Sequence, residues 1–267
     1  MSELLFQGKT AIVTGGTSGI GRKIVELFRR HGADVLFTGR DATRAEEVSV
    51  STGATFFAAN AARPDHARLV LDKALSLYDR VDILVNNAGG LGAVGGVEDI
   101  STEVLDDAIS IHLRAPWMLI AQVAPVMRAR GGGSIVNICS VAGQRIGAAS
   151  LAYSVAKAAM IHLSRSAAAE LGKDNIRVNS VSPGFIATPI HTSHLDLEEA
   201  RKARVAAGLA RLYISRQALR QTGQPGDVAD VVLFLASERS KFMTGADVVV
   251  DGGMIWGQPV ETERWSK

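Results

Sequence analysis

Two side chains separated by one helical turn have the chemistry of an acid/base pair. Tyr153 and Lys157 are four positions apart, so a helix would present both on one side. A free phenol titrates at about pH 10, and lowering its pKa by about three units takes roughly 4 kcal/mol. A nearby ammonium supplies such stabilisation. The pair is a candidate proton donor and acceptor, although Tyr-x-x-x-Lys alone is a common helix spacing.

A second cluster has the composition of a phosphate-binding loop. The segment 14–21 reads Thr-Gly-Gly-Thr-Ser-Gly-Ile-Gly and lies between an apolar run and a helical pattern. Its glycines at 15, 19 and 21 would let the backbone approach a pyrophosphate at a helix N-terminus, where N–H groups and the helix dipole favour an anion. A tight turn without a ligand is the alternative. The strand-turn-helix context favours a dinucleotide site.

Short apolar runs and helical patterns alternate along the chain. The runs predict strands at 10–14, 34–38, 54–59, 81–85, 134–138, 176–181 and 247–250. Between them lie helical patterns at about 20–31, 43–51, 67–78 (opened by Pro64), 102–130, 152–171 and 227–236. The alternation predicts an α/β fold, a doubly wound, Rossmann-like, seven-stranded parallel sheet with helices on both faces.

We expect residues 1–267 to form a single dinucleotide-binding and catalytic domain. The irregular stretch at about 185–223, which includes a charged helical run at 196–211, would be a substrate lid, and 254–267 a C-terminal tail. Such an insertion near the carboxyl ends of the strands is where doubly wound sheets bind ligands.

Composition excludes several classes of protein. Lys and Arg number 29 against 27 Asp and Glu, a net charge of +2, which argues against a nucleic-acid or anionic-membrane binder. The most apolar stretch, 115–127, is too short to cross a bilayer, which takes about 20 residues. A lone cysteine, Cys139, cannot form an intramolecular disulfide, and we expect it to be a small buried strand residue in a cytoplasmic protein.

Further motifs follow in a fixed order. They are Asn86-Asn-Ala-Gly89, Ser140, Pro183-Gly184, and Thr244-Gly followed by Asp251-Gly-Gly253. With the G-x-x-x-G-x-G loop and Tyr153-x-x-x-Lys157, they resemble the markers of the short-chain dehydrogenase/reductase family, in its short single-domain branch, over about residues 9–253. The resemblance implies hydride transfer between NADP(H) or NAD(H) and a secondary alcohol or ketone.

The resemblance also implies catalytic roles. Tyr153 would be the acid/base, and Ser140 would hold the substrate oxygen. Lys157 would bind the nicotinamide ribose and, together with the positive nicotinamide of the oxidised cofactor, would stabilise the phenolate. His112 stands where the family has an active-site asparagine. It could hold a water in a proton relay and add pH dependence near its usual pKa of about 6.5, or its ring could simply pack aside.

Family positions also imply a cofactor-binding set. It comprises Gly15, Thr17, Ser18, Gly19, Ile20, Gly21, Arg40, Asn60, Ala61, Asn87, Ala88, Gly89, Tyr153, Lys157, Pro183, Gly184, Ile186 and Thr188. Gly39 occupies the place of the NAD-selective acid and Arg40 follows it, so we expect NADP(H) to be preferred and NAD(H) to be possible. Two features argue against a preference for NADP(H): Asp41 could turn inward, and Ser18 stands where many NADP-binding relatives carry a basic residue. Asn60 replaces the family's aspartate beside adenine but keeps an acceptor oxygen.

Two alternatives to a dehydrogenase of small alcohols stay open. One is a 3-oxoacyl thioester reductase whose Arg128, Arg130 and Lys173 meet an acidic carrier; the other is a non-catalytic dinucleotide-binding sensor or scaffold. The expected pocket positions are mostly apolar and favour an apolar or cyclic small-molecule substrate: Leu91, Val141, Gln144, Ile146, Phe185 and Ile186. The resemblance implies a homotetramer or homodimer. His191 and His194 lack a ligand cluster, so no metal is expected.

Overall fold

The computed structural model describes residues 4–63, 65–93, 95–193 and 195–256. These residues form one seven-stranded parallel sheet in the order β3-β2-β1-β4-β5-β6-β7. Its strands are β1 Thr10–Val13, β2 Asp34–Gly39, β3 Thr55–Ala58, β4 Ile83–Asn86, β5 Gly133–Ile138, β6 Ile176–Pro183 and β7 Asp247–Val250. The predicted doubly wound architecture is confirmed.

Helices connect the strands at nearly the predicted positions. They are α1 Gly19–Arg30, α2 Ala42–Thr52, α3 His66–Tyr78, α4 Thr102–Ile109, α5 Ala115–Ala129, α6 Leu151–Leu171, α7 Glu199–Ile214 and α8 Pro225–Ala236. Of the described helices, none is long and apolar enough to cross a membrane. Pro64 and His194 lie outside the described residues, and the predicted tail is described only as far as residue 256.

Two apolar cores lie on opposite faces of the sheet because successive strand side chains alternate in direction. On β1, Ala11 and Val13 pack in a cluster with residues of α1 and α8, whereas Ile12 packs in a second cluster with residues of α3, α5 and α6. Strands buried on both faces must be apolar at nearly every position, which explains the continuous apolar runs in the sequence.

The predicted continuous helix over 102–130 is wrong at its centre. Residues Ser110–Arg114 form a π-helical turn, in which the Ala115 N–H donates to the Ser110 carbonyl five residues back. Pro116 gives the physical reason, because proline has no N–H to donate to the carbonyl of residue 112 four positions earlier. The widened turn carries His112.

The strand order reverses between β1 and β4. From β1 the chain continues to β2 on one side of this pair, and from β4 it continues to β5 on the other side. In a doubly wound sheet the carboxyl ends of the strands at this reversal border a crevice, which is the usual ligand site. The glycine loop follows β1 and residues 86–90 follow β4, so both predicted cofactor motifs border the crevice.

Candidate active site

Glycine shapes the loop between β1 and α1. Gly15 and Gly19 have φ angles of +68° and +55°, which favour glycine. A Cβ atom on Gly21 would lie 2.2 Å from the Gly15 carbonyl oxygen, so no side chain fits there. Ser18, the N-cap of α1, makes no side-chain capping hydrogen bond. The first N–H groups of α1 are thus left without a side-chain cap beside a cradle of glycines, an arrangement that fits a dinucleotide pyrophosphate.

The turn after β4 packs directly on this loop. Thr14 Oγ1 accepts hydrogen bonds from the backbone N–H groups of Asn87 and Ala88 at 2.9 and 3.0 Å. Asn87 Nδ2 donates to the carbonyl oxygens of Thr14 and Gly15 at 2.9 and 3.1 Å. A Cβ on Gly15 would lie 2.8 Å from Ala88 Cα. The structure therefore brings together the two motifs that the sequence assigned to one cofactor.

The end of β2 offers a guanidinium rather than a carboxylate. A Cβ on Gly39 would lie 2.4 Å from the methyl group of Thr17, so this position holds no acidic side chain. Asp41 caps α2: its Oδ1 accepts from the Arg44 N–H at 3.0 Å and its Oδ2 lies 3.2 Å from Arg44 Nε. The possibility that Asp41 turns inward is therefore wrong. Arg40 is exposed and, within the described chain, makes no ion pair.

Other predicted cofactor residues lie around the same crevice. Asn60 Oδ1 accepts from the Ala62 N–H at 3.0 Å, so one lone pair of its acceptor oxygen is used locally. Thr188 follows β6 in the chain. Its methyl carbon would lie 3.1 Å from a Cβ built on Gly19, so Thr188 packs against the glycine loop. Ile186 is buried, and its backbone forms an isolated parallel β-bridge with Gly223.

The expected reacting groups meet where β5 ends and α6 begins. Tyr153 and Lys157 are both buried, and Lys157 Nζ lies 5.6 Å from the centroid of the Tyr153 ring. Lys157 Nζ donates to the Ile138 carbonyl oxygen at 2.8 Å, which anchors the ammonium to the end of β5. Ser140 Oγ accepts from the Ala142 N–H at 3.1 Å, and the Ser140 hydroxyl also interacts with the phenol.

Burial, rather than the lysine, dominates the titration of the phenol. It raises the pKa of Tyr153 to about 12, and the Ser140 hydroxyl opposes this in part. Burial also lowers the pKa of Lys157, since an ammonium is poorly solvated there. The expected lowering of the phenol pKa rests on the lysine together with the positive nicotinamide of an oxidised cofactor, and the lysine alone does not produce it. At neutral pH the phenol is protonated.

His112 joins the two halves of the site. Its Nε2 lies 2.9 Å from the Gly90 carbonyl oxygen, and its ring contacts the Tyr153 ring edge-on at a centroid distance of 5.0 Å. Because a carbonyl only accepts, Nε2 carries the hydrogen and Nδ1 is a buried acceptor without a partner among the described groups. Burial, with Lys157 nearby, lowers the pKa of His112 to about 3. The expected titration near neutral pH is therefore wrong.

The predicted lid contains an aromatic stack. The Phe185 ring lies between the rings of His191 and Tyr213, at 4.5 Å from each centroid. Of the other predicted pocket positions, Val141 is buried and Ile146 is almost fully exposed. Thus the structure buries part of the expected apolar pocket and leaves another part open to solvent.

Sequence reasoning missed a buried polar chain behind the site. Asn86 Nδ2 donates to Asn137 Oδ1 at 2.8 Å, and Asn137 Nδ2 donates to Ser164 Oγ at 2.9 Å. Ser164 Oγ in turn donates to the Met160 carbonyl at 2.8 Å on α6. A signal was present, because Asn137 interrupts an otherwise apolar buried strand.

A second missed contact ties the loop after Ser140 to the edge of the sheet. Gln144 Nε2 donates to Asp247 Oδ2 at 2.5 Å, and the hydroxyls of Ser180 and Ser182 also donate to this carboxylate. Asp247, on β7, thereby holds Gln144, one of the predicted pocket residues, although β6 lies between β7 and β5 in the sheet. Nothing local in the sequence indicates this pairing, since the two residues are far apart in the chain.

Two groups that resemble reactive or metal-binding sites are explained by packing. Cys139 is buried, and burial raises the pKa of its thiol to about 12, so it stays protonated. His191 stacks on Phe185, and its Nε2 lies 3.1 Å from the Ile186 carbonyl. No group of three or more metal-binding side chains occurs in residues 4–63, 65–93, 95–193 and 195–256.

A cavity of about 730 Å³ lies at the opposite, amino-terminal ends of the strands, away from this site. Four of its six charged lining residues, Lys9, Asp82, Arg130 and Arg177, are engaged within the chain. Arg130 Nη2 donates to Asp79 Oδ2 at 2.8 Å, Arg177 Nη1 donates to the Leu235 carbonyl at 2.8 Å, and Lys9 pairs with Asp82. The cavity therefore does not compete with the crevice as the reaction site.

The fold, the glycine cradle, Ser140 and the buried Tyr153 and Lys157 define a dinucleotide-dependent enzyme class, and comparison with known proteins identifies it. A family model described as "Enoyl-(Acyl carrier protein) reductase" matches residues 15–255. The chain belongs to the short-chain dehydrogenase/reductase family, whose members use NAD(P)(H). It is an oxidoreductase acting on CH–OH groups.

Individual relatives match this chain over nearly their whole length. The 7alpha-hydroxysteroid dehydrogenase of Bacteroides fragilis is 31% identical over 263 residues, covering 95% of this chain and 97% of the relative. The 3-oxoacyl-[acyl-carrier-protein] reductase of Thermotoga maritima is 34% identical over 254 residues, covering 93% and 98%. A solved structure described as a short chain dehydrogenase/reductase family protein is 38% identical, with a TM-score of 0.80 over 93% of this chain and 98% of its own.

Proposed function

We propose that the protein interconverts a secondary alcohol and a ketone with Tyr153 as its acid/base. The observation that carries the proposal is the meeting of Ser140, Tyr153 and Lys157 at the end of β5 and the start of α6. When bound, a nicotinamide dinucleotide supplies or accepts the hydride. The predicted cofactor-binding residues of the glycine loop, the turn after β4 and the segment after β6 would hold it.

Each reacting side chain has a role that its surroundings support. In reduction, Tyr153 donates its proton to the substrate oxygen, and a pKa of about 12 keeps the phenol protonated for this step. In oxidation, the phenolate takes the proton back, and the Lys157 ammonium stabilises that charge. Ser140 holds the substrate oxygen. Lys157 is already fixed to Ile138, so its position is set before any ligand arrives.

The test of this function is the Tyr153→Phe variant, which removes only the hydroxyl. Turnover of a panel of secondary alcohols and ketones, followed by nicotinamide absorbance, should fall by roughly 10²–10⁴-fold, the usual share of general acid–base catalysis. Dinucleotide affinity, measured by fluorescence titration, should stay close to that of the wild type. Undiminished turnover in the variant would remove Tyr153 from the mechanism. Dinucleotide binding by the wild type without turnover of any substrate would favour the sensor or scaffold alternative.

We also propose a preference for NADP(H) over NAD(H). Support comes from the end of β2, where Thr17 occupies the space beside Gly39, Asp41 is committed to capping α2, and Arg40 is exposed and unpaired within the described chain. A guanidinium pairs well with a 2′-phosphate. Arg40→Asp should shift the ratio of kcat/KM toward NAD(H), whereas Arg30→Asp, with the same charge change away from the crevice, should not. Equal ratios in both variants would exclude Arg40 as the selector.

For the substrate, we propose an apolar or cyclic small molecule. Val141, Phe185 and Ile186 support this, and a relative is named for a hydroxysteroid. The second candidate is a 3-oxoacyl thioester, which the Thermotoga maritima relative favours. Carrier recognition by Arg128 and Arg130 is less favoured, because these arginines pair with Asp174 and Asp79. Activity on a carrier-bound thioester that is lost in the Arg128→Glu, Arg130→Glu double variant would reverse this choice.

We propose a homotetramer, or a homodimer, that works in the cytoplasm as a single domain. Strand β7 is an open edge of the sheet, and Phe234 on α8 and Trp117 on α5 are 39% and 53% exposed. Large apolar side chains on helix surfaces favour association. Light scattering on a Trp117→Glu variant beside the wild type tests this, and an unchanged monomer in both would contradict it. The single buried cysteine supports a reducing compartment.

A further inference from the structure

Two buried polar side chains near the crevice carry atoms that lack hydrogen-bonding partners among the described groups. His66, the first residue of α3, is 3% exposed, and neither ring nitrogen has a partner. Asn86, at the end of β4, is 5% exposed, and its Oδ1 has no partner although its Nδ2 donates to Asn137. Buried polar groups in folded proteins are nearly always paired, so each calls for an explanation.

The two side chains line one small cavity. Its volume is about 10 Å³, and Thr14 also lines it. The rest of the lining is apolar: Ala61, Ala88, Ile111, Ala115, Pro116 and Leu119. A space of roughly 10–15 Å³ with two or more polar partners is what a single buried water needs. A larger ligand does not fit.

We propose that this cavity is an internal hydration site for one water molecule shared by His66 and Asn86. The water donates one hydrogen to Asn86 Oδ1, and its second hydrogen or its own lone pair bonds one ring nitrogen of His66. Neutral imidazole offers both a donor and an acceptor, so either arrangement is satisfied. Burial lowers the pKa of His66, which keeps the ring neutral and supports the assignment.

The site has a consequence for the crevice. Asn86 begins the polar chain that runs through Asn137 and Ser164 to α6, so the water extends that chain to the start of α3. Ala61 and Ala88, which we expect beside the dinucleotide, form part of the wall of the same cavity. His66 therefore acts as a positioning residue, since it supports the cofactor side of the crevice through the water without being assigned a contact to the ligand.

The test is a high-resolution crystal structure together with two variants of one position. We expect a density peak within hydrogen-bonding distance of both Asn86 Oδ1 and a His66 ring nitrogen. His66→Leu should lower the Tm because it strips the water of a partner, and His66→Gln, which keeps a donor and an acceptor, should recover most of that loss. Dinucleotide Kd should rise about three- to tenfold in the Leu variant, the worth of one hydrogen bond, and less in the Gln variant.

Each result decides the matter. The absence of a peak between the two side chains in the wild-type crystal overturns the hydration site. A Leu variant at least as stable as the wild type also overturns it, because replacing a dry, unpaired imidazole by an apolar group of similar size would stabilise the fold. The density and the Tm do not depend on turnover, so failure of the proposed reaction would leave this test intact.

Discussion

The two sides of the crevice reach their function by opposite means. On the β1 and β4 side the important positions carry no side chain: at Gly15 and Gly21 a Cβ would collide with neighbouring backbone. On the β5 and α6 side they carry large, buried, polar side chains, Tyr153 and Lys157, whose pKa values move away from their usual ranges. One side is a surface of backbone, and the other is a set of titratable groups in a poorly solvated environment.

The difference teaches which perturbations each side can absorb. Backbone contact is limited by sterics, so the glycine side should respond to added volume and hardly to pH. The tyrosine side should respond to changes of charge and hydrogen bonding, because burial penalises ionised groups there. His112 links the two, since its Nε2 holds Gly90 while its ring packs on Tyr153.

The largest effect should follow from adding one methyl group to the glycine side. In Gly21→Ala the new Cβ would lie 2.2 Å from the Gly15 carbonyl oxygen and 2.4 Å from Asn87 Nδ2. Overpacking of this kind costs roughly 1–3 kcal/mol, equivalent to about 5- to 150-fold in dinucleotide affinity. Calorimetric titration with NADPH measures the change.

Gly90→Ala is the matched control for this prediction. It adds the same methyl group in the turn beside the crevice, where nothing lies within 4 Å of a Cβ. Its dinucleotide affinity should stay near that of the wild type. If both variants bound equally well, the steric account of the glycine side would be wrong.

A smaller effect should appear as pH falls, and it should arise on the tyrosine side. His112 has a pKa of about 3 in the fold, below its unfolded value of about 6.5. Between these two pH values, the unfolded chain therefore binds a proton at His112 that the folded chain does not bind. The contribution of the neutral, buried His112 to the free energy of unfolding is fully present above pH 6.5 and is lost as the pH falls toward 3. The loss is about 2 kcal/mol between pH 7 and pH 5.

Denaturant unfolding of the wild type and His112→Phe at several pH values isolates this contribution. Phenylalanine does not titrate, so the free energy of unfolding of the variant should fall by about 2 kcal/mol less over the same range. Because burial also lowers the pKa of His66, part of the acid sensitivity should persist in the variant. Parallel curves for the two proteins would mean that His112 is solvated or ionised in the fold.

Two substitutions of His112 should distinguish the effect of its hydrogen bond to Gly90 from the effect of its contact with the Tyr153 ring. His112→Gln has the reach to donate to the Gly90 carbonyl but loses the aromatic contact with Tyr153; His112→Phe keeps the aromatic contact and loses the donor. We expect the Gln variant to lower kcat and the Phe variant to raise the KM for the dinucleotide, each by roughly tenfold, the upper range for one hydrogen bond or aromatic contact. Steady-state kinetics with each substrate varied distinguishes them, and identical profiles would show that His112 acts as a single packing unit.

The sequence predicted more of the glycine side than of the tyrosine side, for a physical reason. A turn that needs positive φ selects glycine locally, so the positions of Gly15 and Gly19 could be predicted from the sequence itself. The environment of Tyr153 depends instead on burial created by distant elements, so the residue type was evident but the direction of its pKa was not. The π-helical turn at His112 had a local signal in Pro116, which the apolar periodicity concealed.

The smallest expected effect lies outside both sides, in the predicted lid, and it tests whether glycine is required only where backbone contact demands it. Gly208 is an exposed residue within α7, and nothing lies within 4 Å of a Cβ built on it. Gly208→Ala should stabilise the helix by about 0.5–1 kcal/mol, because alanine loses less conformational entropy on folding. Thermal unfolding should show a small rise in Tm with unchanged dinucleotide affinity. A fall in either would mean that α7 needs the flexibility of glycine, and the contrast between obligatory glycines at the crevice and dispensable ones elsewhere would have to be abandoned.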